Sequence, residues 1–128
     1  LINKILKNKH LGEDVVLWGN GNQRRELVYI DDFVKEMLDL DNLIENQIIN
    51  IGAGEDYTIK QFAEHICNIL SVDPNIIKFD TNKYVGARSK KLVTKKLDKI
   101  LPEKKRTSLD EGLEKTIKWM EKIYKDNI

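Results

Sequence analysis

The chain has 128 residues, enough for one domain with a real core and hardly enough for two. Twenty-two basic and 21 acidic side chains leave a net charge of +1, so no global field draws it to nucleic acid or to a membrane surface. With 41% apolar and 34% charged residues, and no run near the ~20 apolar residues of a membrane span, it reads as a soluble globular domain.

In chain order, residues 1–9 read as the end of an amphipathic helix that starts without Met and without a signal-peptide pattern, as in a piece of a longer chain. Residues 15–18 form a short apolar strand, and residues 26–30 a second, apolar on both faces and so buried. Asp31 is placed to cap a helix running to about residue 44, with Phe33, Val34, Met37 and Leu38 on its core face. Residues 48–52 make another buried strand ending in a Gly52-Ala53-Gly54 turn. Thr58 opens a helix in which Thr58 and Gln61 have capping-box spacing, and Ile59, Phe62, Ala63, Ile66 and Leu70 face the core. A turn at 72–75 leads to the strand "IIKFD". Residues 81–91 form a polar loop hinged at Gly86, and a short helix at 93–101 stops at Pro102. Ser108 and Glu111 begin the last helix, lined by Leu113, Ile117, Met120 and Tyr124. The pattern is α/β, with short strands and three to four helices, in one unit spanning 1–128.

Most standard sites are missing from this inventory. Gly19 and Gly21 are followed by Arg24 where a dinucleotide loop needs its third glycine, and Gly52 and Gly54 by Tyr57. His10 and His65 have no partners at metal-ligand or catalytic spacing, so both read as structural or solvated, and no metal site is expected. Asp31-Asp32 resembles paired carboxylates, but a helix N-terminus favours acidic side chains in any case. Cys67 is the sole cysteine, set among apolar residues, which points to a buried thiol and a reducing, cytoplasmic setting.

Arginine stands out. Of the 22 basic side chains, 18 are Lys and four are Arg (24, 25, 88 and 106), and two of the four are adjacent. Alternation puts Arg25 on one face of the 26–30 strand beside a Gly-rich turn, where a guanidinium needs an anionic partner. Two partners fit: a carboxylate of the domain itself, or a phosphate held by the bidentate fork with Trp18 as a flat wall for a sugar or base.

The blocks "VVLWGNGNQRRELVYIDDF", "INIGAGEDYTIKQFAEHI", "IKFDTNKYVGARSKKL" and "TSLDEGLEKTIKWM", in this order, resemble the C-terminal substrate-binding part of the GDP-L-fucose synthase family. These are extended short-chain dehydrogenase/reductases of the NAD-dependent epimerase/dehydratase class. The W-G-x-G-x-x-x-R-E and I-N-x-G-x-G-x-D-x-T-I blocks carry most of the likeness, which runs over the whole chain. The resemblance implies a small C-terminal substrate-binding lobe with the Rossmann domain absent. It also implies a parent enzyme that epimerises and reduces GDP-4-keto-6-deoxymannose with NADP(H), a GDP-sugar as substrate partner, and a homodimer built mainly through Rossmann-domain helices. The family's glycine loop and Ser/Tyr/Lys catalytic set are not in this chain, so no catalytic residue is assigned and no cofactor is expected to bind this chain alone. No nucleic-acid or membrane partner is implied.

By position, Trp18 and Arg25 match the family's substrate-contacting Trp and Arg. Lys4 falls, with a one-residue gap, at a basic position on the helix leading in, and Lys83 and Lys90 match basic positions of the later loop. That loop departs from the family's K-P-D-G-T-P-R-K-L-L-D: here Val85 and Val93 replace Asp, and Ser89 replaces Arg with Arg88 beside it. Two further readings stay open: the lobe of another nucleotide-sugar epimerase, dehydratase or reductase, and a non-catalytic module binding a nucleotide sugar or a protein.

Overall fold

The structure, a computed structural model, describes the backbone of residues 1–126 and the side chains of residues 1–123. Among the described residues, two small sheets sit among five α-helices: α1 (Ile2–Leu11), β1 (Val15–Trp18), β2 (Arg24–Arg25), α2 (Ile30–Asp41), β3 (Tyr57–Thr58), α3 (Ile59–Leu70), β4 (Ile77–Asp80), β5 (Ser89–Lys90), α4 (Lys95–Ile100) and α5 (Leu109–Asp126). The α/β class is as expected, and all five helical stretches read along the chain are helices, beyond the three to four counted for the lobe.

The core lies where α1, α3 and α5 close over β1. Ile5, Leu6, Val15, Leu17, Ala63, Ile66, Cys67, Leu70, Leu113 and Ile117 form one buried cluster. Val15 and Leu17 point into it because side chains alternate along a strand. Each such burial contributes about 1.5–3 kcal/mol. Burial also pushes the Cys67 thiol above its ordinary pKa, consistent with an inert core cysteine. Tyr124 falls outside the described side chains.

Local chemistry sets α3. Thr58 accepts from Gln61 N at 3.0 Å while Gln61 Oε1 accepts from Thr58 N at 2.9 Å, the reciprocal box foreseen from spacing. At its far end Ser71 adopts the left-handed conformation. Similarly, Gly12 ends α1 at φ +70°, a conformation glycine takes without strain. In α5, Glu111 N donates to Ser108 Oγ at 3.3 Å. The turn after α3 becomes a short 3-10 segment, Pro74–Ile76, with Asp73 accepting from Asn75 N.

β1 pairs in parallel with β4, bringing Trp18 opposite Asp80. β2 is the centre of a second sheet, antiparallel to β3 and parallel to β5, so that Arg25 lies opposite both Tyr57 and Lys90. The 81–91 segment, read as loop, thus contributes the short strand β5.

Three expectations fail together. Residues 26–29 and 48–52 are in no ladder, so neither apolar run is a strand. The expected core face of α2 is turned outward: Phe33, Val34, Met37 and Leu38 are all exposed, and Ile48 is 89% exposed. Asp31 is not the cap either, because the helix begins at Ile30 with Tyr29 as N-cap. The reason is common to the first two. A strand exists by pairing and an amphipathic face is buried by a second surface, and no described residue supplies either here. Besides the buried Leu40, what holds α2 is polar. Glu36, 3% exposed, takes Nε and Nη2 of Arg106 at 2.8 and 3.0 Å, and Asp32 accepts from the backbone N–H and hydroxyl of Thr107 at 2.7 and 3.0 Å.

Candidate functional site

β1 and β4 end side by side, and in open parallel sheets ligands bind outside the carboxyl ends of the strands. Trp18 stands at that end with its ring 62% exposed. The backbone then folds back through Gly19, at φ +79°, whose N–H donates to Asp80 O at 2.7 Å. Gly21 takes φ +78°, and a Cβ there would lie 2.5 Å from the Phe79 ring, so the turn needs glycine at this position. The same turn rests on α3: Gly21 O accepts from Lys60 N and Gln23 O from Ile59 N, both at 3.0 Å. With Gln61 N taken by Thr58, the first amides of α3 are engaged by the protein itself. Among the described residues, the helix that follows the Gly19–Gly21 and Gly52–Gly54 turns thus has its first three amides satisfied within the fold rather than free for a pyrophosphate.

The two adjacent arginines part company. Arg24 is clamped by Asp56: Nε reaches Oδ2 at 2.9 Å, and Nη2 reaches the Asp56 carbonyl at 2.6 Å and Oδ1 at 3.2 Å. This hydrogen bonding holds the Asp56 carboxyl below its ordinary pKa, against the opposing effect of burial. A carboxylate of the domain therefore does partner an arginine of the pair, but it is the neighbour of the one singled out. Arg25 makes a bond from Nη1 to Arg24 O at 2.6 Å and pairs with no carboxylate among the described residues. The register sets Lys90 beside it on β5.

Lys4 and Lys83 fit less well. Lys4 Nζ donates to Val16 O at 2.6 Å, so its ammonium is tied to the backbone of β1. Lys83 is exposed at the start of the 81–88 loop, where its N–H reaches Asp80 O at 3.4 Å and Asp80 Oδ1 accepts from Asn82 N. Val85, from the middle of that loop, packs on Gly19, since a Cβ built there would lie 2.2 Å from Val85 Cγ1. Neither histidine lies in a cluster of potential metal ligands among the described residues, and His65 Nδ1 sits 2.6 Å from Asp110 Oδ1, tying α3 to α5.

A cleft of about 620 Å³ lies elsewhere. Its walls include Leu27, Tyr29, Ile30, Tyr57 and Trp119, and it contains none of Trp18, Arg25, Lys4 or Lys83. It borders residues 27–30, next to the exposed face of α2, and is mostly apolar. Sequence reasoning did not find it, nor the Glu36–Arg106 pair beside it. The scarcity of arginine was the available signal, since it applies to Arg106 as well as to Arg24 and Arg25.

These features describe a small α/β lobe. The sequence profile of the NAD dependent epimerase/dehydratase family matches residues 1–52. A probable GDP-L-fucose synthase of Oryza sativa subsp. japonica is 29% identical over 116 residues, 90% of this chain and 34% of that protein. The GDP-L-colitose synthase of Yersinia pseudotuberculosis is 31% identical over 122 residues, 93% of this chain and 39% of that protein. In structure, a GDP-L-fucose synthetase from Naegleria fowleri, solved bound to NADP, superposes with a TM-score of 0.84 at 24% identity, over 97% of this chain and 39% of that one. The match to that family thus rests on residues 1–52, and the chain spans a little over a third of the length of these relatives. No helix among the described residues is long and apolar enough to cross a membrane.

Proposed function

We propose that this chain is the nucleotide-sugar-binding lobe of an NADP-dependent epimerase/reductase of the GDP-L-fucose synthase type, acting on GDP-4-keto-6-deoxymannose. The observation that carries this reading is the split between the arginines. Arg24 is spent on Asp56, whereas Arg25, half-buried beside Lys90, has its fork available for an anion. A guanidinium and an ammonium on neighbouring strands suit a diphosphate, the guanidinium by a two-pronged bond and the ammonium as a point charge. Trp18 then walls the sugar, with Lys4 and Lys83 as outlying basic groups.

In this reading the nicotinamide and the proton-transferring side chains lie on a separate Rossmann domain. A bound nicotinamide supplies the hydride there, and this lobe orients the sugar. The outward face of α2, the unpaired runs 26–29 and 48–52 and the adjoining cleft are the surface that meets that domain. The whole enzyme acts in the cytoplasm as a homodimer.

A second reading, the lobe of an enzyme for a different nucleotide sugar, is favoured by Val85, an apolar side chain packed at the turn beside Trp18. Following NADPH consumption by the intact protein with GDP-4-keto-6-deoxymannose tests the proposal. Turnover supports it, whereas turnover confined to another nucleotide sugar selects the second reading. Nucleotide-sugar binding without any NADPH oxidation would mark a non-catalytic module.

A further inference from the structure

Two buried side-chain oxygens among the described residues have no hydrogen-bond partner, Gln23 Oε1 and Glu26 Oε2, and they flank the arginine pair. Glu26 is partly provided for, since its other oxygen accepts from Leu92 N at 2.9 Å. Gln23 is the sharper case: a neutral side chain, 6% exposed, with its carbonyl oxygen unmet. Its place is well defined. A Cβ built on Gly19 would lie 2.3 Å from Gln23 Nε2 and 2.2 Å from Val85 Cγ1. The carboxamide therefore lies against the glycine that follows Trp18, with Val85 of the 81–88 loop packed at the same spot.

Packing alone does not account for glutamine there. An unmet buried acceptor costs stability, and an apolar side chain of the same length would fill the space without that cost. We propose that Gln23 is a specificity-determining residue of the nucleotide-sugar site, accepting a hydrogen bond from a sugar hydroxyl that enters between Trp18 and Val85. The inference rests on the proposed function and deepens it. An amide oxygen accepts only, so its ligand must be a donor, which an ionised phosphate is not. The cationic pair Arg25 and Lys90 lies on β2 and β5, past Gln23 in the chain, while the exposed ring of Trp18 precedes it. That order suits phosphates at one end and sugar at the other. The loop bearing Val85 is exposed throughout, and Gly86 at φ +67° has open space around it, so lifting Val85 disturbs little else.

The test is calorimetry on the intact protein and on Gln23→Met, which keeps length and loses the acceptor. GDP-mannose, UDP-glucose and dTDP-glucose serve as probes, each beside its bare nucleoside diphosphate. For whichever pair binds the unmodified protein, Gln23→Met should weaken the nucleotide sugar about tenfold or more and leave the diphosphate unchanged, while the melting temperature rises. Equal affinities for both ligands in the variant and the unmodified protein would overturn the inference. So would a parallel loss of both, or a lower melting temperature with binding intact, which would make Gln23 a structural residue. If the unmodified protein binds none of the six ligands, the proposed function itself fails, and this inference with it.

Discussion

Replacing Arg106 by methionine should cost this fold far more than a surface arginine would. Both oxygens of Glu36 are held by the Arg106 fork, at 2.8 and 3.0 Å, and Glu36 is 3% exposed. Without its partner the carboxylate is left buried and uncompensated, a penalty of about 3–5 kcal/mol. At roughly 0.05–0.15 kcal/mol per residue, a domain of this size has about 6–19 kcal/mol in total, so a substantial fraction of it goes. The melting temperature should fall by roughly 10–25 °C. The double variant Glu36→Met/Arg106→Met removes the orphaned charge together with the fork and should recover most of the loss, because apolar replacements of a buried pair are often neutral. Urea denaturation of the two single variants and the double variant closes the cycle. A loss below about 1 kcal/mol for Arg106→Met, or a double variant as unstable as the sum of the singles, would refute the reasoning.

In the intact protein Arg25→Lys keeps the charge but loses the fork, and should lower kcat/KM for the nucleotide sugar on the order of ten- to a hundredfold; unchanged steady-state kinetics would return Arg25 to a structural role. Val85→Asp places a hydroxyl acceptor at the turn beside Trp18, and should raise activity on GDP-4-keto-6-deoxymannose relative to other nucleotide sugars, as read from their kcat/KM ratio. Because the Asp56 carboxyl sits below its ordinary pKa in the fold, the Arg24–Asp56 tie contributes stability that is present above the unfolded-state value of about 3.9 and is lost as pH falls through the lower folded value. The acid limb of the stability curve should therefore flatten in Asp56→Asn, measured by urea midpoints across that window.

The parts of the fold legible in the sequence were those specified within a few residues. The α3 capping box spans three positions, the β1 strand four, and the Gly19–Gly21 turn three, with both glycines at positive φ. Pairings between distant residues were not legible. Arg24 meets Asp56 across 32 positions and Arg106 meets Glu36 across 70, and no local spacing encodes either. The α2 pattern misled for a related reason. A period of 3.6 announces an apolar face without saying what covers it, and here Phe33, Val34, Met37 and Leu38 face outward. Likewise 26–29 and 48–52 have strand composition, but a strand needs a neighbour. In the candidate site, Trp18 lies at the end of β1 and Arg25 on β2. For Lys4, nothing in its spacing reveals that Val16 O takes a hydrogen bond from its ammonium.

A crystal of the protein grown with GDP-mannose puts the central claim to its most direct test. The account predicts density for the diphosphate within hydrogen-bonding distance of Arg25 and Lys90, and for the sugar against Trp18. Nucleotide seated instead in the cleft between Tyr29 and Trp119, with Arg25 still turned to the Arg24 carbonyl, would contradict it.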